Sequence, residues 1–169
     1  SCQQADTPAV VWEVTASPCT ERMFDGSRFI TCRADGEIEI ISGHRGFAEL
    51  GAALGDRAST VAFAMNAGMF DEAGAPIGLM IEEAREVKAI NRRNGRGNFH
   101  LMPNGVFIVR RNGNATIIAS QRFRSFKDIN YATQSGPMLL IDGKLHPEFE
   151  DDGTSRHIRP PAPAARLAG

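Results

Sequence analysis

Short apolar runs and strict polar–apolar alternation dominate this chain, and helical spacing is rare. Val10-Val11-Trp12-Glu13-Val14 and Arg28-Phe29-Ile30-Thr31-Cys32 are rich in β-formers and predict strands. Glu37-Ile38-Glu39-Ile40 alternates and predicts a half-exposed third strand. Phe47, Leu50, Ala53 and Leu54 then recur at helical spacing, which predicts one amphipathic helix over residues 45–55, ended by Gly55-Asp56. Val61-Ala62-Phe63-Ala64-Met65 is continuously apolar and predicts a central strand. Residues 77–82 and 86–90 predict the next pair. Residues 106–109 and 116–118 flank Asn112-Gly113, and residues 138–141 and 144–146 flank Asp142-Gly143, so both predict hairpins. About nine short strands against one or two helices predict an α+β fold, a mixed, largely antiparallel β-sheet with one or two packed helices.

The 169 residues suit one domain, expected over residues 10–159, between a small polar segment at 1–9 and a Pro/Ala-rich tail at 160–169. Nineteen basic residues face 20 acidic ones, for a net charge of −1. That balance argues against a nucleic-acid partner and against a polybasic membrane patch. No apolar run approaches the ~20 residues of a membrane helix.

The chain has three cysteines, all early. Cys19 and Cys32 flank the turn signal Phe24-Asp25-Gly26-Ser27, and a disulfide there would close a hairpin; two buried thiols are the other reading. Cys2 is the odd one. The chain starts Ser-Cys-Gln-Gln without an initiator Met, which reads as a processed product, and Cys2 is then either a lipid-anchor site or a stray thiol.

Four polar segments can carry chemistry. Asn66-Ala67-Gly68-Met69-Phe70-Asp71 follows the apolar run with a polar amide, small residues and a carboxylate; it is a ligand-approach loop or a plain turn. Residues 91–100 hold three Arg, three Asn and His100 between strands, suited to an anion and proton transfer, or else only a solvated basic loop. Gln134-Ser135-Gly136 forms a polar corner whose amide and N–H groups suit sugar hydroxyls or phosphate oxygens, and Ser135 lacks the surroundings of a nucleophile elbow. Arg156 and His157 form the fourth. No EF-hand or zinc spacing occurs, so neither a metal nor another cofactor is expected. Asp71, Glu82, Asp142 and Glu148 all qualify as catalytic carboxylates.

These segments, in this order, resemble the phosphodiester glycosidase family, and its bacterial members most closely. The resemblance rests on Phe63-Ala64-Met65-Asn66-Ala67-Gly68-Met69-Phe70, Pro76-Ile77-Gly78-Leu79, Gly97-Asn98-Phe99-His100-Leu101, Pro103-Asn104-Gly105-Val106-Phe107, Ala132-Thr133-Gln134-Ser135-Gly136-Pro137 and Ser155-Arg156. The Cys19/Cys32 pair also looks like the family's N-terminal pattern. The resemblance implies hydrolysis of a sugar-1-phosphodiester of the N-acetylglucosamine-1-phosphate type, in a bacterial protein exported to the periplasm or envelope. It implies a substrate-binding set of Asn66, Gly68, Asn98, Gln134, Ser135, Gly136 and Arg156. Asn66 and Gln134 would meet the sugar or bridging oxygens, and Arg156 with His100 the phosphate. Asp71 or Glu82 would act as acid/base, with His100 as a further catalytic candidate. A non-catalytic glycan-phosphate binding or envelope protein of the same ancestry is the alternative. Two departures stand out. Glu83-Ala84 occupies a turn where bacterial relatives often carry Asn-Gly, and Pro160-Pro161-Ala162-Pro163 interrupts a strand that relatives continue. The expectation is a domain lacking its C-terminal third and therefore a poor catalyst.

Overall fold

The computed structural model describes residues 18–125, 127–147 and 149. The strand expected at residues 10–14, Cys2, Glu148, Arg156, His157 and the tail lie outside the described residues. The fold is α+β, and every strand pairing in it is antiparallel. Strands β1 (Cys19–Phe24) and β2 (Ser27–Cys32) form a hairpin whose first and last residues, Cys19 and Cys32, face each other and are joined by a disulfide. Helix α1 (Phe47–Leu54) ends at Gly55 (φ 56) and continues as a 3-10 turn over Gly55–Thr60. The Glu49 carboxylate accepts a hydrogen bond from the Arg45 N–H at 2.9 Å and so closes the start of the helix.

The principal sheet has the order β4-β3-β7-β5-β6, from β3 (Met80–Glu82), β4 (Arg85–Lys88), β5 (Gly105–Arg110), β6 (Ala115–Ala119) and β7 (Ile129–Ser135). A small hairpin of β8 (Leu140–Ile141) and β9 (Lys144–Leu145) follows. Side chains alternate across the sheet, so each face has its own core. Leu79, Ile81, Val106, Ile108, Phe123, Ile129 and Ala132 pack on one face. Ile40, Met80, Val109 and Tyr131 pack on the other. The register shifts between Val109, opposite Tyr131, and Arg110, opposite Ile129. This bulge at Asn130 puts Ile129 on the same face as Ala132.

Three expectations need correction. Residues 61–65 form no strand among the described residues; Val61 and Met65 are exposed beside a cleft. The buried central strand is β7 instead, which had read as a polar corner; residues 138–141 yield only the two-residue β8, with Leu139 and Leu140 exposed. Residues 37–40 keep their alternation, with Ile38 half-buried and Ile40 buried, yet they pair with no strand. Apolar content alone does not make a strand, which also requires a backbone partner. Helix α1 buries no residue fully, and Phe47 is 61% exposed, so its packing is looser than expected.

Candidate functional site

A cleft of about 2470 Å³ opens over the face of the sheet that carries Met80, Phe107, Thr133 and Ser135. Its other walls come from α1, residues 60–72 and β8. Among the expected site residues and candidate carboxylates, Asn66, Gly68, Asp71, Ser135 and Asp142 line it together.

Local chain chemistry fixes the mouth of this cleft. Residues 69–77 fold back as a small hairpin: the Ile77 N–H bonds the Met69 carbonyl at 3.0 Å, and Phe70 bridges Pro76. Asp71 shapes the tip, because its Oδ1 accepts from the N–H groups of Ala73 (3.0 Å) and Ala75 (2.9 Å). Gly68 brings the segment against β7. A Cβ there would lie 2.0 Å from Thr133 Oγ1 and 2.8 Å from the Gln134 carbonyl oxygen. The Met69 N–H donates to that same carbonyl at 3.4 Å.

Gln134 belongs to the opposite face of β7, with 1% of its surface exposed. Its Oε1 accepts from the N–H groups of Leu79 and Asn91, both at 2.9 Å. Its Nε2 donates to the Asn91 carbonyl at 2.6 Å and to Asn104 Oδ1 at 3.1 Å. Two accepted and two donated bonds saturate a carboxamide. The expected sugar contact is therefore replaced by a buried junction that ties β7 to residues 77–79, 91 and 104. Asn104 extends it by donating from Nδ2 to the Phe99 carbonyl at 2.9 Å. Gly136 serves the same packing, since a Cβ there would lie 2.7 Å from Asn104 Cβ and from the Phe99 carbonyl.

His100 and Asn98 also stand apart from the cleft lining. His100 Nδ1 lies 2.8 Å from the Arg93 carbonyl, and the ring packs edge-on against Phe99 with centroids 5.2 Å apart. A carbonyl only accepts, so Nδ1 carries the proton in this arrangement. Asn98 opens the 3-10 turn Asn98–His100 and is exposed. The expected single site of Asn66, His100, Gln134 and Arg156 is thus not brought together among the described residues: Asn66 lines the cleft, Gln134 is buried on the other face of β7, and His100 is not among the cleft's lining residues.

Glu82 is elsewhere again. Its carboxylate accepts from the Ser42 N–H and the Ser42 hydroxyl, each at 3.0 Å, and lines a smaller pocket beneath α1 with Tyr131 and Glu83. Burial, followed by Glu39, Glu83, Glu37 and Glu82, raises the Tyr131 phenol above its ordinary pKa and favours its neutral form. No group of three or more His, Cys, Asp or Glu side chains is placed to hold a metal ion among the described residues.

Two cleft residues escaped the sequence reading. Arg45 and Arg122 line the cleft and form no ion pair among the described residues. As isolated arginines outside any motif they carried no signal; the fold alone brings them to one cavity.

These features define an antiparallel α+β domain with a strand-floored cleft, whose mouth carries an amide, a carboxylate and a glycine-packed loop. The family model for phosphodiester glycosidases matches residues 59–160, which hold this mouth and the whole principal sheet. The chain belongs to the phosphodiester glycosidase family. It is also similar to a protein of Escherichia coli (strain K12) named Uncharacterized protein YigE, with 35% identity over 160 residues. That match covers 94% of this chain and 58% of the relative's length. No solved structure matches the chain.

Proposed function

We propose that the cleft binds a sugar-1-phosphodiester and hydrolyses the bond between its anomeric carbon and the phosphate oxygen. The observation that supports this reading is the packing of Gly68 on Thr133, in a cleft that Asn66, Asp71 and Ser135 all line. Family membership supports the same bond type. In this scheme the Asn66 amide and Ser135 hydroxyl hold sugar hydroxyls, and Arg45 and Arg122 hold the phosphodiester anion. Asp71 directs water onto the anomeric carbon and takes its proton. The C–O bond breaks, the phosphate monoester leaves with the electron pair, and the new hydroxyl stays on the sugar. Gln134 acts on the scaffold side, tying β7 to its neighbours, and Gly136 packs on Asn104. The Cys19–Cys32 disulfide supports an exported, periplasmic or envelope location.

An assay with an activated N-acetylglucosamine-1-phosphodiester tests this reading. Asp71→Asn should lower kcat by about 100-fold or more. Asn66→Ala should act mainly on KM. A second reading is a glycan-phosphate binding module without turnover. It is favoured by the engagement of Asp71 Oδ1 in the turn at residues 71–75. Saturable binding of N-acetylglucosamine-1-phosphate without hydrolysis of the diester would select it.

A further inference from the structure

Gln121 and Arg122 reach the cleft from one 3-10 turn, Ser120–Arg122, which follows β6. So short a turn closes on few hydrogen bonds of poor geometry and does not hold its own place. Its closure is the Phe123 N–H on the Ser120 carbonyl at 3.2 Å. The Ser120 hydroxyl adds nothing, since it is buried and meets no hydrogen-bond partner among the described residues.

What fixes the turn comes from elsewhere in the chain. Arg92 donates from Nε to the Ser120 carbonyl at 3.0 Å and from Nη2 to the Phe123 carbonyl at 2.8 Å. One planar fork therefore spans both ends of the turn. The backbone next to Arg92 is anchored in turn. Its neighbour Asn91 bonds the Gln134 carboxamide through its N–H and its carbonyl, and the Asn91 side chain donates to the Ile77 carbonyl at 3.1 Å. Asn104, another partner of Gln134, accepts the Ser120 N–H on its carbonyl at 2.9 Å. The buried junction at Gln134 thus reaches the turn by two routes. Arg124 also donates to the carbonyls of Gln121 and Phe123, but these bonds stay within the same segment.

Arg92 and Arg122 form no ion pair among the described residues, so both charges are uncompensated there. Their places differ. Arg122 lines the cleft and Arg92 does not. Arg92 directs N–H groups to neutral carbonyls, so its contribution to the cleft is geometric.

We propose that Arg92 is a positioning residue for anion recognition: its fork on the Ser120 and Phe123 carbonyls holds Arg122 in the cleft wall, where the phosphodiester is met. The inference rests on the sugar-1-phosphodiester binding proposed above for the cleft. Without the fork Arg122 keeps its charge but loses its direction, and a misdirected guanidinium loses its paired bonds to phosphate oxygens.

Affinities of the whole chain for N-acetylglucosamine-1-phosphate and for N-acetylglucosamine, at constant ionic strength, test this. Arg122→Ala should lower the preference for the phosphate over the neutral sugar about tenfold, and Arg92→Ala should lower it similarly. A general loosening of the fold would weaken both ligands and leave their ratio unchanged. Arg92→Lys keeps the charge and lacks the fork, so it should resemble Arg92→Ala. In the Arg122→Ala background, Arg92→Ala should cause no further loss. Parent-like selectivity in Arg92→Lys, an unchanged ratio in Arg92→Ala, or full additivity of the two alanine variants would overturn the inference. None of these comparisons needs turnover, so binding without hydrolysis fails the hydrolytic reading alone. Absence of saturable phosphate-sugar binding by the parent chain would overturn both.

Discussion

Gly68 packs directly on Thr133: a single added carbon on the glycine would lie 2.0 Å from the threonine hydroxyl oxygen. The Gln134 carbonyl stands behind it at 2.8 Å, so the loop cannot settle elsewhere on β7 without losing the Met69 hydrogen bond. Gly68→Ala should therefore cost about 1–3 kcal/mol of stability by overpacking. Thr133→Ala in the same chain should recover part of this and not all, because the carbonyl remains. Thermal unfolding of the single and double variants gives the coupling between them. Strict additivity would show that the two residues do not meet.

Gln134 should prove far more important to stability than its polar character suggests. Gln134→Ala leaves the N–H groups of Leu79 and Asn91, the Asn91 carbonyl and Asn104 Oδ1 without their partner in a buried position. A loss of about 3–5 kcal/mol follows from several unmet groups. Denaturant titration measures it. A loss below about 1 kcal/mol would return Gln134 to the role of a replaceable surface amide.

This residue also shows where sequence reading reached its limit. Both hairpins at Asn112-Gly113 and Asp142-Gly143, the helix near residue 50 and the Cys19–Cys32 bridge were legible, because turn chemistry and spacing are local signals. Strand β7 was not. It places Thr133 and Gln134 in buried positions, and their burial depends on partners distant in sequence. The apolar run at residues 61–65 misled for the converse reason: its side chains line a cleft and its backbone joins no ladder. Asn66, Gly68, Asp71 and Ser135, singled out by their motifs, line one cleft. The separation of Gln134 and His100 from them follows from the pleat of β7 and the course of residues 91–100, which no motif encodes.

The pair Arg110–Asp128, 2.5 Å apart, ties the end of β5 to the start of β7. The hydrogen bond from Arg110 lowers the Asp128 carboxyl pKa below its ordinary 3.8. The folded form therefore binds this proton less tightly than the unfolded form. The pair's contribution is complete above the ordinary value and fades as pH falls through the lowered one. Asp128→Asn should flatten this part of the acid limb of stability against pH and leave neutral behaviour little changed. An acid limb identical to that of the parent chain would show the pair to be idle.

Cys19 and Cys32 should resist thiol reagents while Cys2 reacts. Titration of the unfolded chain without reductant should find one thiol, and reduction should release two more. Three thiols before reduction would contradict the hairpin bridge.

Hydrolysis of methyl N-acetylglucosamine-1-phosphodiester in ¹⁸O-water tests the central claim most directly, because the label records which bond breaks. We predict ¹⁸O in the released sugar and none in methyl phosphate, with the signal abolished by Asp71→Asn. Label in the phosphate, or undiminished turnover by the Asp71 variant, would contradict a cleft built for attack at the anomeric carbon.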